Sequence, residues 1–151
     1  VVERIVISSP ITGNAADLST APDEAFAQKM MGDGAVVTPE DPYVRAPEDG
    51  EVAFVFDTKH AIGFITDSGI SLLIHVGIET VSMNGEGFEY LVKKGQHVKE
   101  GQPILKFDKA KIEAKGLNPV VVFVKTDEGN QTPVAFKTGI NVKAGKDVIG
   151  E

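Results

Sequence analysis

The 151-residue sequence predicts an all-β protein: one domain, residues 1–151, built as an antiparallel β-sandwich or barrel-like fold with short helical turns. Three observations carry this. Turn signals recur at Pro10-Ile11-Thr12-Gly13, Gly32-Asp33-Gly34, Pro47-Glu48-Asp49-Gly50, Asp67-Ser68-Gly69, Gly85-Glu86-Gly87 and Glu128-Gly129-Asn130. Short Val-, Ile- and Phe-rich runs fill the gaps, a spacing typical of sandwiches and barrels. The pattern Gly-x-x-Val-Lys-x-Gly occurs twice, at Gly95–Gly101 and Gly139–Gly145, each running on to an apolar residue, Ile104 and Ile149. A second echo, Pro-x-x-Gly, occurs at Pro10–Gly13 and Pro47–Gly50.

Taken in order, Arg4 to Ser8 is the first β-rich run. Ala21 to Met30 holds the main helical signal, enough for a turn or two. Glu51 to Phe56 alternates apolar and polar residues, as a half-buried strand does. Ala61 to Thr66 and Ile70 to Val76 follow as strands, separated by the turn signal Thr66-Asp67-Ser68-Gly69. Phe88 to Val92 reads as another helical turn. Ile104 to Asp108 and Val120 to Thr126 complete the β-rich runs.

The composition excludes several classes. No apolar stretch approaches the ~20 residues that span a membrane, so direct membrane insertion is not expected. The net charge of −7 argues against a nucleic-acid or anionic-membrane surface. The absence of cysteine rules out disulfides and thiolate chemistry within the chain, and suits a reducing cytoplasm. The start at Val1 is consistent with a domain cut from a longer protein.

Chemistry concentrates at two of the three histidines, His60 and His75. If Asp67 and Ser68 alone form the hairpin loop, Thr66 faces Gly69 and His60 faces His75. Directly opposed residues share a face, with Cβ atoms ~4.5–5.5 Å apart. A three-residue loop shifts the register by one and breaks that pairing. Alternation places Leu73, His75 and Gly77 on one face, and the glycine leaves bare backbone beside the imidazole. His97, inside one of the two echoed loops, reads as an exposed turn residue.

Two imidazoles on one face suit metal binding, proton relay or anion binding. A closed zinc site needs further ligands. Asp57 and Glu79 lie near in sequence, but alternation turns Glu79 away unless the chain bends there, and no His-x-His or His-Glu-x-x-His is present. An open two-ligand site, completed by a partner's carboxylate, remains compatible. No Gly-x-Ser-x-Gly elbow or phosphate-binding loop is present, so the glycine pairs read as turns. Phosphoryl carriage fits what remains. A neutral imidazole nitrogen attacks phosphorus in line, and the second ring donates to the equatorial oxygens.

These residues carry a resemblance. Pro10-Ile11-Thr12-Gly13, Lys29 to Gly34, Ala46-Pro47-x-Asp49-Gly50, Thr58-Lys59-His60-Ala61, the full run Gly69 to Val81, Gly85 to Phe88 and the Gly95–Gly101 loop resemble the glucose-type enzyme IIA domain of the bacterial phosphoenolpyruvate-dependent sugar phosphotransferase system. The likeness runs from about Ile5 to Ile149. It implies that His75 accepts a phosphoryl group from the phosphocarrier protein HPr and passes it to a cysteine of a cognate IIB domain. It implies that His60 steadies the phosphate, that Thr58 orients His60 through Nδ1, and that the Gly77 carbonyl fixes the His75 tautomer.

No cofactor is implied, though Zn at His60 and His75 in a complex is compatible with the pair. Implied partners extend to regulated permeases or kinases, and implied location is the cytoplasm, with tethering to a permease possible. An alternative role is a IIA-like regulatory module controlling a linked sugar permease. Met30, Met31, Val36, Val37, Phe56, Leu73 and Val81 are the expected apolar rim for partner docking, with core packing the competing expectation for Val37 and Leu73. Two other classes stay open on the residues alone: a zinc hydrolase of the duplicated-sandwich peptidase kind, which lacks its His-x-His here, and a lipoyl or biotinyl carrier, which lacks a convincing lysine hairpin tip.

Overall fold

Strand runs separated by turns assemble into three antiparallel sheets in the computed structural model, which describes residues 6–28, 32–129 and 134–151. Met30 and Met31, the start of the Arg4 to Ser8 run and Asn130 lie outside the described residues. The strands are β1 (Ile7–Ser8), β2 (Gly13–Asp17), β3 (Asp33–Pro39), β4 (Tyr43–Arg45), β5 (Gly50–Val55), β6 (Ala61–Thr66), β7 (Ile70–Val76), β8 (Phe88–Tyr90), β9 (His97–Val98), β10 (Pro103–Phe107), β11 (Val121–Gly129), β12 (Ile140–Val142) and β13 (Val148–Gly150). Helices are short: α1 (Glu24–Ala27), α2 (Lys109–Ala114) and two one-turn 3-10 segments, Leu18–Thr20 and Thr80–Met83.

The large sheet runs β12-β2-β3-β11-β7-β6-β5-β9. A three-stranded sheet, β4-β10-β8, and the pair β1-β13 complete the sandwich. Ile62, Phe64, Leu72, Ile74, Val76 and Phe123 project from the large sheet into the main core, where they share a cluster with Val44, Phe88, Leu105 and Phe107 of the small sheet. The other face of the large sheet carries a second cluster. There Val36, Val122 and Val124 are covered by Leu18, Ala21 and Phe26 from the segment between β2 and β3.

The internal echoes have a structural meaning. Gly13 of β2 pairs with Val142 of β12, and Gly50 of β5 pairs with Val98 of β9. Each Pro-x-x-Gly turn therefore leads into a strand that holds one Gly-x-x-Val-Lys-x-Gly loop. The residues before the prolines grip the loops: Gly145 N–H donates to Ser9 O at 3.0 Å, and Gly101 N–H to Ala46 O at 2.9 Å. The two loops then meet glycine to glycine, since a Cβ on Gly145 would stand 2.7 Å from the Gly101 Cα.

The structure departs from the sequence expectations at several points. Phe88 to Val92 begins as strand β8 rather than a helical turn, because Phe88 and Tyr90 pair with Phe107 and Leu105. Asp33 and Gly34 of the expected Gly32-Asp33-Gly34 turn are the first residues of β3, paired with Lys125 and Val124. Gly34 serves close approach there, since a Cβ would lie 1.9 Å from the Phe123 carbonyl oxygen. The hairpin between β6 and β7 has a three-residue loop, Asp67-Ser68-Gly69, so Ala61 faces His75 and Ile62 faces Ile74. Gly69 N–H closes a turn on Thr66 O at 2.8 Å, Gly69 takes φ +90°, and Thr66 Oγ1 accepts the Ile70 N–H at 3.0 Å. A β-turn followed by a positive-φ glycine is the usual three-residue hairpin, and it moves the ladder by one residue.

Candidate functional site

His75 lies near the end of β7, on the face opposite the main core. Strict alternation sends Ile70, Leu72, Ile74 and Val76 inward and leaves Leu73 and His75 on the other side. The strand ends at Gly77, whose φ is +74° and whose missing Cβ would lie 2.4 Å from Thr80 Cγ2. Only glycine fits there without strain. This turn brings the Gly77 carbonyl back to His75, which donates Nδ1–H to it at 2.7 Å. A carbonyl only accepts, so the proton sits on Nδ1 and Nε2 presents its lone pair.

His60 stands just before β6, at a bend. Its carbonyl accepts the Val76 N–H at 2.8 Å. Alternation along that ladder directs a residue opposite Val76 toward the core. Lys59 overrides this with a left-handed φ of +55°, closing a turn through Lys59 N–H to Phe56 O at 3.0 Å. The His60 ring therefore meets the His75 ring, with centroids 4.9 Å apart and planes at 76°. The expected proximity of the two rings is present, although the expected two-residue loop is not. Thr58 Oγ1 lies 2.6 Å from His60 Nδ1.

Aromatic rings flank the pair. Phe56 lies 5.6 Å from His60, and Phe26 of α1 lies 5.3 Å from His75, centroid to centroid. Burial lowers the His75 pKa from 6.5 to about 4, helped by neighbouring His60 and opposed by the Gly77 carbonyl and Asp23. Burial also lowers that of His60, which is 8% exposed. Both rings are thus neutral near pH 7, the state in which imidazole is a nucleophile.

The expected apolar rim is only partly at the surface. Phe56 (40% exposed) and Val81 (51%) are accessible, and Leu73 is half-buried on the same face as His75. Val37 is fully buried in the main core, and Val36 is buried in the second cluster. Both are therefore removed from a docking surface, because the strand pairs of β3 and the covering 18–27 segment leave neither face of that strand open here. Met30 and Met31 lie outside the described residues. Phe54 is a further exposed apolar residue, and its ring packs over the bare Gly63 backbone.

Sequence reasoning missed Phe26 and Tyr90. Phe26 had a local signal, since Asp23 accepts the Phe26 N–H at 3.4 Å as a cap opening a helical turn. Tyr90 had none, because it reaches the bend from the other sheet. As for metal ligands, the described residues hold no group of three or more His, Cys, Asp or Glu side chains placed to share an ion. No helix among them is long and apolar enough to cross a membrane.

Two comparisons bear on this arrangement. The family model described as phosphoenolpyruvate-dependent sugar phosphotransferase system, EIIA 1, matches residues 5–131. The solved structure of glucose permease IIA from Mycoplasma capricolum superposes with a TM-score of 0.82 at 31% sequence identity, covering 97% of this chain and 94% of that one. The antiparallel β architecture is that of this permease domain. With both histidines seated on that shared fold, the chain belongs to the EIIA 1 family of the sugar phosphotransferase system and is a phosphotransferase component of it.

Proposed function

We propose that this domain is a phosphocarrier: His75 Nε2 accepts a phosphoryl group from the phosphohistidine of HPr and passes it to a cysteine of a cognate IIB domain during sugar uptake in the cytoplasm. The observation that carries this is a neutral His75 with its proton held on Nδ1 by Gly77 and its Nε2 free beside a second neutral imidazole.

In the first step the Nε2 lone pair forms a bond to phosphorus while the donor's N–P bond breaks. The phosphorylated His75 ring keeps Nδ1–H and carries positive charge, which the Gly77 carbonyl dipole stabilises. The second step reverses this: a thiolate attacks phosphorus, the N–P bond breaks, and a neutral ring with the same tautomer returns. No proton needs to leave Nδ1. If Thr58 donates its hydroxyl proton to His60 Nδ1, the His60 proton sits on Nε2, which can then donate to the phosphoryl oxygens. A metal ion between the two imidazoles in a complex would draw its remaining ligands from a partner carboxylate.

The test is incubation with phosphoenolpyruvate, enzyme I and HPr, followed by intact mass. One acid-labile phosphoryl adduct, discharged by a cognate IIB domain, is the expected result. No adduct would overturn the proposal. An adduct that IIB cannot discharge would favour the regulatory alternative.

A further inference from the structure

The β5–β6 ladder stops one rung early. Val55 faces Ile62, so Phe56 and Ala61 are the next pair in the same register. Instead of bonding each other directly, both backbone groups bond a side chain. The Tyr90 hydroxyl accepts the Phe56 N–H at 2.9 Å and donates to the Ala61 carbonyl. Tyr90 belongs to β8 of the small sheet, and its half-buried ring packs against the main core. Its hydroxyl thus stands inside a rung of the large sheet. An inserted oxygen lengthens the path between the two strands from one hydrogen bond to two. The residues that leave the ladder at this point are Asp57, Thr58, Lys59 and His60, the bend that carries the second imidazole.

We infer that Tyr90 is a positioning residue for His60: its hydroxyl holds β5 and β6 apart at the Phe56–Ala61 rung and thereby sets the bend that turns the His60 ring toward His75. Removing the hydroxyl leaves a backbone donor and acceptor facing each other across a gap. Two polar groups so placed either close on each other or take up water. Either outcome moves the ends of the bend, and the Thr58–His60 contact at 2.6 Å moves with them. The His75–Gly77 bond lies on β7 and its following turn, outside the bend.

The kinetic half of the test rests on the phosphocarrier reading, whereas the spectroscopic half does not. In Tyr90→Phe, ring-nitrogen resonances of His60 should shift toward a mixture of tautomers, while those of His75 stay close to their original values. Onward transfer to a IIB domain should fall about 10- to 100-fold, the loss expected for an ångström-scale misplacement. Combining Tyr90→Phe with His60→Gln should add nothing beyond His60→Gln alone, because the tyrosine acts through His60. In the unaltered protein the Phe56 amide should be protected from hydrogen exchange. Unchanged His60 resonances, an unprotected Phe56 amide, or multiplied losses in the double variant would each overturn the inference. A wild-type chain that never takes up phosphate would overturn the phosphocarrier reading and leave the resonance and exchange results to decide Tyr90.

Discussion

His60 and His75 meet edge to face, with ring centroids 4.9 Å apart, although the strand ladder sets His75 against Ala61 and gives the His60 carbonyl to Val76. Neighbouring positions on a strand point to opposite faces. The contact therefore depends on the bend before β6 and on the left-handed Lys59 at its centre. A β-branched residue is poorly tolerated in that conformation, at a cost of roughly 1–2 kcal/mol. Lys59→Val should lower the urea unfolding free energy by about that amount and slow onward phosphoryl transfer. A variant with wild-type stability and transfer would show that the bend does not depend on this residue.

The two imidazoles should be separable by function. His75→Gln removes the nucleophilic nitrogen and should abolish phosphorylation. His60→Gln should still accept phosphate yet pass it on poorly, since an amide donates a hydrogen bond but cannot take up charge or a proton as the group leaves. Radiolabel retained by each variant, then chased with a IIB domain, measures both steps. Normal labelling of His75→Gln with none in His60→Gln would reverse the assignment.

The legible parts of this molecule were those set by local pattern. Alternation in Ile70 to Val76 puts His75 on the non-core face, and the recurring glycine turns mark the strand ends. The hairpin register was not legible, because Asp67-Ser68-Gly69 supports a two- or a three-residue loop. The choice depends on Thr66, whose hydroxyl caps Ile70, and on the φ of Gly69. The rings met by a second, compensating feature, the left-handed Lys59, which no pattern in the letters announces. Helix α2 does carry a local signal: Asp108 accepts the Lys111 N–H at 3.2 Å, ahead of Ala- and Lys-rich residues. Val36 and Val37 end in cores rather than at the rim, because apolarity alone cannot say which strand residues pack inward.

Docking should depend on the apolar residues that remain exposed around the pair. Phe56 and Val81 are 40% and 51% exposed, so a charge at either is solvated in the free domain. In a desolvated interface the same charge is costly, on the order of several kcal/mol. Phe56→Glu and Val81→Glu should therefore keep the thermal midpoint near wild type and raise the HPr concentration needed for half-maximal phosphorylation at least about tenfold, equivalent to about 1.4 kcal/mol. Unchanged transfer kinetics in both folded variants would place the docking surface elsewhere.

Acid should destabilise the fold through the same histidine that gives it reactivity. Burial depresses the His75 pKa from 6.5 to about 4, with His60 adding to the effect. Between those values the unfolded chain binds a proton that the folded chain does not. Stability therefore rises with pH across this window: it is fully present above about 6.5 and is lost as pH falls toward 4. Each pH unit contributes at most about 1.4 kcal/mol for one such group. His60, also lowered by burial, acts in the same direction, whereas Glu48, raised by burial, opposes it below neutrality. Comparison with His75→Gln isolates the first contribution. Urea unfolding at pH 7 and pH 4.5 should show wild type losing roughly 2–3 kcal/mol more than the variant over that interval. Parallel losses in the two proteins would mean that burial does not depress the His75 pKa, and that the ring is protonated on ordinary terms below about pH 6.5.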